Sequence, residues 1–199
     1  MILHATYMDE EAIDMVCEYK TPIVPTFTFQ ANLADFGESI GASEDYRDIF
    51  RKEIEENSQI LKRVHDAGVP LLCGTESGFS MTPYGEWHYR ELEVFVKDIG
   101  MSNMDSIVCA TKNASKSIKM EGKVGTIEKG MLADILVVDG NPLDDITVLG
   151  DKSKLSHIIL NGNEVDQNKP TKEIIPPQGW RLSPYSNQIL TQKIANIVN

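Results

Sequence analysis

The first half of the chain alternates between short apolar runs and longer stretches in which apolar residues recur at helical spacing. The apolar runs "MILH", "TPIVPTFTF" and "VPLLCGT" predict strands at residues 1–4, Thr21–Phe29 and Val69–Thr75. The last run has apolar residues on both faces of the predicted strand, as expected for a parallel strand covered by helices. This order of elements predicts right-handed βαβ units with a parallel sheet.

Helices are predicted between and after these strands. The spacing predicts them over Met8–Tyr19, Ser43–Ala67, Glu86–Ile99 and Asn103–Ile118. Acidic residues at the start of the first helix suit its positive end, and glycines follow the second and third helices as stop signals. The polar segment Gln30–Ala42 between them predicts a loop.

The pattern changes after Gly122, where short strands and turns replace the alternation of strands and helices. The segment "GTIEKGMLADILVVDGNPL" predicts two strands separated by turns, and Asn161-Gly162 predicts the type I′ turn of a hairpin. Residues 122–165 are therefore expected to form a small antiparallel unit. Residues 166–199 lack clear periodicity and predict an extended tail that wraps a neighbouring subunit of a homo-oligomer, with a last helix near 187–198.

Charge and composition exclude several classes of partner. The formal net charge is −11, so the chain lacks the basic footprint of a protein that binds nucleic acid or an anionic membrane. No apolar run approaches the roughly 20 residues of a membrane span. A cytoplasmic location is favoured, although a signal peptide upstream of Met1 would change it. The three cysteines have no disulfide or zinc-knuckle spacing, and we expect buried small side chains.

Polar side chains stand where the three predicted strands end. His4 follows the first strand, Thr26 and Thr28 end the second, and Glu76 follows the third. Reactive groups in parallel α/β architectures lie at these carboxyl ends, and a His with a carboxylate can ligate zinc there. On spacing alone, an ordinary loop histidine and an ordinary helix-flanking glutamate explain the same positions. His88 follows "YGEW" and can face the same cleft as Glu76.

Four motifs, in order, resemble a known family. "GTIEKGMLADILVVDGNPLDDI" (Gly125–Ile146) is very similar to the C-terminal β segment of the metal-dependent amidohydrolase superfamily. "ATKNASKSI" resembles its A-T-x-N-A-A helix, "LLCGTESG" the G-T-D-S-G motif of its eighth strand, and "ILHATYMDEEAI" the histidine motif of its sixth strand. The imidazolonepropionase and Xaa-Pro dipeptidase-like branch is the most similar, over roughly residues 1–165.

The resemblance implies an α/β fold, a partial (β/α)8 TIM barrel with its sixth to eighth strands and the C-terminal part of a small β-sandwich. Residues 1–121 would be barrel, residues 122–165 sandwich and residues 166–199 the tail. A whole barrel needs about 250 residues. We therefore expect the N-terminal half of the barrel upstream of Met1 on the same polypeptide, or on a partner chain.

The resemblance also implies site residues. His4 matches a metal ligand, and Glu76 stands at the position of an aspartate that binds metal and serves as general base. Tyr84, Trp87 and His88 would line the substrate pocket. The expected cofactor is a divalent metal, zinc first, with most ligands on the N-terminal half. The implied function is hydrolysis of an amide, cyclic amide or carbamate by a metal-activated water, and this chain alone would be inactive. The longer Glu76 departs from the family pattern and favours the alternative, a degenerate half-barrel that acts as a binding or assembly subunit.

Overall fold

The computed structural model describes residues 1–168 and 188–197. In chain order its elements are β1 (Ile2–Leu3), α1 (Glu10–Tyr19), β2 (Ile23–Val24), α2 (Thr28–Phe36), a 3-10 helix (Gly37–Ile40), α3 (Glu44–Asp66), α4 (Arg90–Lys97), α5 (Asn103–Val108), a π-helical turn (Cys109–Asn113), α6 (Ala114–Ser117), β3 (Ile135–Val138), two 3-10 helices (Ile146–Gly150 and Lys152–Lys154), β4 (Leu155–Leu160) and β5 (Asn163–Glu164).

The three predicted strands lie side by side and parallel, in chain order. Ile2 pairs with Ile23 in the β1–β2 ladder, and Ile23 also forms a parallel bridge with Leu71 of the third segment. Strand β2 is shorter than predicted, because Pro22 and Pro25 flank it and cannot donate to a ladder. The third predicted strand is reduced to the bridge at Leu71. The parallel βαβ order expected from the sequence is confirmed for these segments.

Gly74 permits the close approach of the third segment to β2. A Cβ atom built on Gly74 would stand 2.5 Å from Cγ1 of Val24, closer than real side chains allow. The glycine in "CGTESG" is therefore required where the strand ends pack together.

The prediction of a loop over Gln30–Ala42 is wrong. The segment forms α2 and the 3-10 helix that follows it. Ala31, Leu33 and Ala34 are buried and α2 packs against α3, so tertiary burial selects a helix that the local sequence did not signal.

The long helix α3 confirms the prediction from its apolar stripe. Ile54, Leu61 and Val64 are buried on one face, and Gly68 follows the helix with φ of +81°. Helix α1 begins two residues later than predicted, because the Asp9 carboxylate accepts a hydrogen bond from the Ala12 N–H and caps it.

Two later helices also differ from their predicted bounds. The helix predicted from Glu86 begins at Arg90, since residues 86–89 form turns against a buried Trp87. The helix predicted over Asn103–Ile118 is present as α5 and α6 joined by a π-helical turn.

Two apolar clusters form the core of the part of the chain that the structure describes. The first lies around the parallel segments and includes the almost fully buried Ile23, Phe27 and Phe95. The second centres on Trp87, whose ring stacks on Phe36 with centroids 5.3 Å apart. The ends of the parallel segments are therefore supported by a packed apolar core.

The segment after Gly122 forms an antiparallel sheet in the order β3, β4, β5. Asn161 and Gly162 both have positive φ, as the predicted hairpin turn requires. The strand predicted from "GTIEKG" is wrong: residues 123–130 form turns, and Ile127 is exposed.

Most of the predicted tail, and therefore its wrapping of a neighbour, lies outside the described residues. Within 188–197 the structure has turns where a helix was predicted, and Leu190 is buried beside Trp87. In the part of the chain that the structure describes, no helix has the length and apolar character needed to cross a membrane.

Candidate functional site

The residues that follow the three parallel segments share an unusual backbone conformation. His4, Thr26 and Glu76 have φ of 64°, 60° and 50°, in the left-handed region. That region is costly for side chains with a Cβ, and most of all for a β-branched threonine. Such conformations concentrate at functional sites and persist only where the surroundings hold them.

Hydrogen bonds determine which nitrogen of His4 is free. The His4 backbone N–H donates to the Val24 carbonyl at 2.8 Å, which extends the parallel ladder to the site. The Thr26 hydroxyl donates to the Pro25 carbonyl and lies 2.5 Å from Nδ1 of His4. Because a hydroxyl has one proton, Thr26 accepts from His4, so Nδ1 carries a hydrogen, and in the neutral ring the lone pair is then on Nε2.

The free Nε2 of His4 faces the carboxylate of Glu76. Nε2 lies 3.9 Å from Oε1, and both side chains are partly exposed. Two ligand atoms of one tetrahedral zinc, each about 2.0–2.1 Å from the ion, lie roughly 3.3 Å apart. A small inward movement of either side chain would bring both to one ion, and an Nδ1–H that is hydrogen-bonded is the usual support of a metal-ligating histidine. The donor set therefore fits two ligands of a divalent metal.

Two ligands do not make a complete site. Within residues 1–168 and 188–197, no group of three or more His, Cys, Asp or Glu side chains can hold a metal ion. A complete metal site here would need further ligands from outside the described residues.

Hydrogen bonds among its own residues stabilise the loop that carries Glu76. The Thr82 hydroxyl donates to the Glu76 carbonyl at 3.0 Å. The Gly85 N–H donates to Nε2 of His88 at 3.1 Å, so the His88 hydrogen is on Nδ1, which lies 3.3 Å from the hydroxyls of Thr75 and Ser77. Desolvation of the ring lowers the pKa of His88 and favours this neutral form. His88 thus supports the loop, and its contact with substrate stays a prediction.

The two aromatic residues predicted to line a pocket differ in position. Tyr84 is 76% exposed beside Gly78, where it is free to contact a ligand. Trp87 is fully buried, and its indole N–H donates to the Leu190 carbonyl at 2.8 Å. The position of Trp87 does not support direct contact with substrate, because an indole packed between Phe36 and Tyr89 stabilises the core.

Sequence reasoning missed Glu91, which lies directly below the strand ends. It is fully buried in the first turn of α4, and its carboxylate accepts hydrogen bonds from Phe27 and Thr28. One signal could have found it. Glu91 is spaced at i+3 and i+4 from Val94 and Phe95, so a carboxylate interrupts a buried apolar stripe.

Comparison with known proteins identifies the family. The amidohydrolase family model matches residues 1–165. The chain belongs to the amidohydrolase family. Ochratoxinase from Aspergillus niger is 27% identical over 161 residues, which is 80% of this chain and 32% of that enzyme. The match covers most of this chain, but the chain spans about a third of the length of these curated relatives.

Solved structures of this family share the fold. A Xaa-Pro dipeptidase with methionine bound in its active site superposes with a TM-score of 0.66 at 30% identity, covering 82% of this chain and 39% of that one. A putative prolidase from Bifidobacterium longum gives a TM-score of 0.69 at 23% identity, over 86% and 43% of the chains. The second likeness shows the fold alone. The family implies a TIM-barrel-type fold, and the described residues contain three parallel segments.

Proposed function

We propose that this chain is the C-terminal part of a metal-dependent amidohydrolase that hydrolyses an amide, cyclic amide or carbamate C–N bond. One observation carries the proposal: His4 and Glu76 meet at the ends of the first and third parallel segments, with Nε2 of His4 turned towards the carboxylate. Family membership supports the same chemistry.

His4 through Nε2 and Glu76 through Oε1 would hold the metal. A bound divalent metal, zinc first, supplies Lewis-acid polarisation and lowers the pKa of a bound water. The chain contributes a histidine in the correct tautomer and a carboxylate on a fixed loop. Both lie in the strand-end region where barrel enzymes place their chemistry.

Glu76 would move the proton. Its carboxylate is partly exposed and reaches into the open side of the site, so it can accept a proton from water and return it to the leaving nitrogen. The backbone of Glu76 at φ 50° redirects this side chain. We propose that this conformation compensates for the extra methylene that distinguishes Glu76 from the aspartate of the family motif.

The remaining ligands and most of the pocket would come from the N-terminal half of the barrel. Among the described residues β1 has a strand neighbour on one side alone, which is β2, and Leu3 is 58% exposed. An apolar strand with an open edge pairs readily with another strand. We propose that this edge receives the fifth strand of the barrel, on the same polypeptide or on a partner chain.

The test is metal content and hydrolysis in the assembled barrel, obtained from the gene together with its upstream or partner coding sequence. Divalent metals are measured by mass spectrometry, and the substrate panel holds Xaa-Pro dipeptides, a cyclic amide and a phenyl carbamate. We expect bound metal and hydrolysis of at least one class. An assembled, folded barrel without divalent metal would contradict the proposal.

A second candidate is a binding or assembly subunit without catalysis. It is favoured by the finding that the described residues hold two candidate ligands and no group of three. The same experiment separates the two functions, because a subunit of this kind would complete the barrel without bound metal or turnover.

A further inference from the structure

Glu91 is a carboxylate buried directly beneath the candidate site. None of the residue is exposed to solvent. Oε1 accepts from the Phe27 N–H at 3.0 Å, and Oε2 accepts from the Thr28 N–H at 2.8 Å and from the Thr28 hydroxyl at 2.7 Å. The carboxylate therefore binds the backbone where β2 turns into α2.

A carboxylate is an expensive residue in such a place. Burial raises the pKa of Glu91 to about 7, although the hydrogen bonds from Thr28 and Phe27 oppose the rise. Among the residues described, its carboxylate has no cationic partner. An apolar side chain would fill the space without this penalty. The Phe27 N–H, the Thr28 N–H and the Thr28 hydroxyl instead need an acceptor with two oxygens. The turn after β2 therefore explains why a carboxylate is buried at this position.

The turn holds Thr26 in position. Thr26 stands immediately before Phe27 in the left-handed region, where a β-branched residue needs outside support. Its hydroxyl accepts the Nδ1 hydrogen of His4 and thereby fixes the tautomer and the ring orientation. A continuous chain of contacts thus runs from Glu91 through Phe27 and Thr28 to Thr26 and His4.

We propose that Glu91 is a positioning residue, whose buried carboxylate fixes the turn after β2 so that Thr26 orients His4. This inference rests on the proposed function for the role of His4 in metal binding, but the orientation of the ring can be measured without metal. Because Glu91 is fully buried and bonded to the turn, it would act through Thr26.

The first measurement is the tautomer of His4 in the metal-free, 199-residue chain, by nitrogen NMR of histidine labelled with ¹⁵N. His4 is assigned from the signal lost in His4→Gln. We expect a wild-type His4 with hydrogen on Nδ1, and a mixture of tautomers in Glu91→Gln. The matched control is Glu93→Gln, because Glu93 is also buried on α4 but pairs with Arg90 and Lys97 instead of the turn.

Thr28→Val is the second variant, because it removes one of the three hydrogen bonds and is milder than a change of Glu91 itself. If Glu91→Gln fails to fold, Thr28→Val decides the matter. A His4 signal unchanged from wild type in the folded variant would overturn the proposal.

The second measurement is a double-mutant cycle on zinc affinity and kcat/KM of the assembled barrel. We expect Glu91→Gln and Thr26→Val each to lower both by roughly 10- to 100-fold, as losses of support for a metal-ligating histidine do. If Glu91 acts through Thr26, the double variant is no worse than Thr26→Val alone. Fully multiplicative losses would overturn the proposal. If the barrel binds no metal, the proposed function fails, while the tautomer measurement still decides the role of Glu91.

Discussion

The described residues contain two histidine–carboxylate pairs, and these pairs differ in almost every respect except composition. His157 and Glu164 face each other across the β4–β5 hairpin, with Nδ1 2.6 Å from Oε1. His4 and Glu76 come from different parallel segments and stand 3.9 Å apart. The closer pair is the ordinary one, because both of its side chains are more than half exposed and no strained backbone carries them.

The difference shows that proximity alone does not identify a site. The His157 pair uses Nδ1 in the contact itself. In the His4 pair Nδ1 is held by Thr26, and it is Nε2 that faces the carboxylate. Beneath this pair, the turn of Thr26 rests on the buried Glu91. A site is therefore recognised by what holds its residues in place, more than by how close they are.

Removal of each histidine is expected to give the largest difference between the two pairs. In the assembled barrel, His4→Ala is expected to lower kcat/KM by on the order of 10⁴-fold, since the several kcal/mol supplied by a metal depend on its ligands. Bound metal measured by mass spectrometry should fall with it. His157→Ala is the control and should leave both unchanged; an equal effect of the two variants would refute the distinction between the pairs.

Substitution of each glutamate by glutamine compares the two pairs in proton transfer. Glu76→Gln should lower kcat by about 10³-fold, as expected for the loss of a general base. Glu164→Gln should leave kcat unchanged, because its partner lies on an exposed hairpin. Steady-state kinetics with the best substrate of the panel provides the measurement. Wild-type activity in Glu76→Gln would remove Glu76 from the mechanism.

The buried support of the His4 pair should appear in the pH dependence of stability. The folded-state pKa of Glu91 is raised by burial from 4.5 to about 7, which corresponds to about 3 kcal/mol. Because the unfolded chain loses this proton first, the free energy of unfolding should fall as pH rises from about 4.5 to about 7, and then level off. Denaturant titrations should show this decrease in the free energy of unfolding for the wild type and not for Glu91→Gln.

Glu93→Gln is the control with the opposite sign. Burial acts to raise the pKa of Glu93, but Arg90 and Lys97 outweigh it, so the pKa is lowered. The stability that Glu93 contributes is present above its ordinary pKa and is lost as pH falls. A Glu91→Gln variant with the wild-type slope would show that Glu91 does not titrate in this range.

The smallest expected effect concerns the hydroxyl that distinguishes the two pairs. Thr26→Val keeps the shape of the side chain but removes the acceptor for Nδ1 of His4, so we expect zinc affinity of the barrel to fall by roughly 10- to 100-fold. Thr111→Val is the control, because the Thr111 hydroxyl donates within its own helix to Ile107. Equal zinc affinities in isothermal titration would show that His4 needs no such support.

Much of the local structure could be predicted from the sequence. Helices α1 and α3 follow from apolar stripes with acidic first turns, and the hairpin at Asn161-Gly162 from residues that tolerate positive φ. These features depend on neighbours a few positions apart. Four motifs likewise identified the family, and from the same motifs His4 and Glu76 are predicted site residues.

Long-range contacts decided the rest. Helix α2 was missed because its buried face is defined by α3, and Trp87 was placed at a pocket because its burial depends on Leu190, far along the chain. The "GTIEKG" segment failed as a strand for the same reason, since it finds no partner to pair with among the described residues.

The sequence by itself determined which residues are available for chemistry at the strand ends, because polar side chains after apolar runs are visible in one dimension. The tertiary structure alone decided how His4 is presented. The bond to Thr26 spans 22 residues and the support from Glu91 spans 64, so neither is visible in local patterns. A left-handed threonine and a buried carboxylate are each unfavourable in isolation, and they persist because the packed fold joins them in one network of hydrogen bonds.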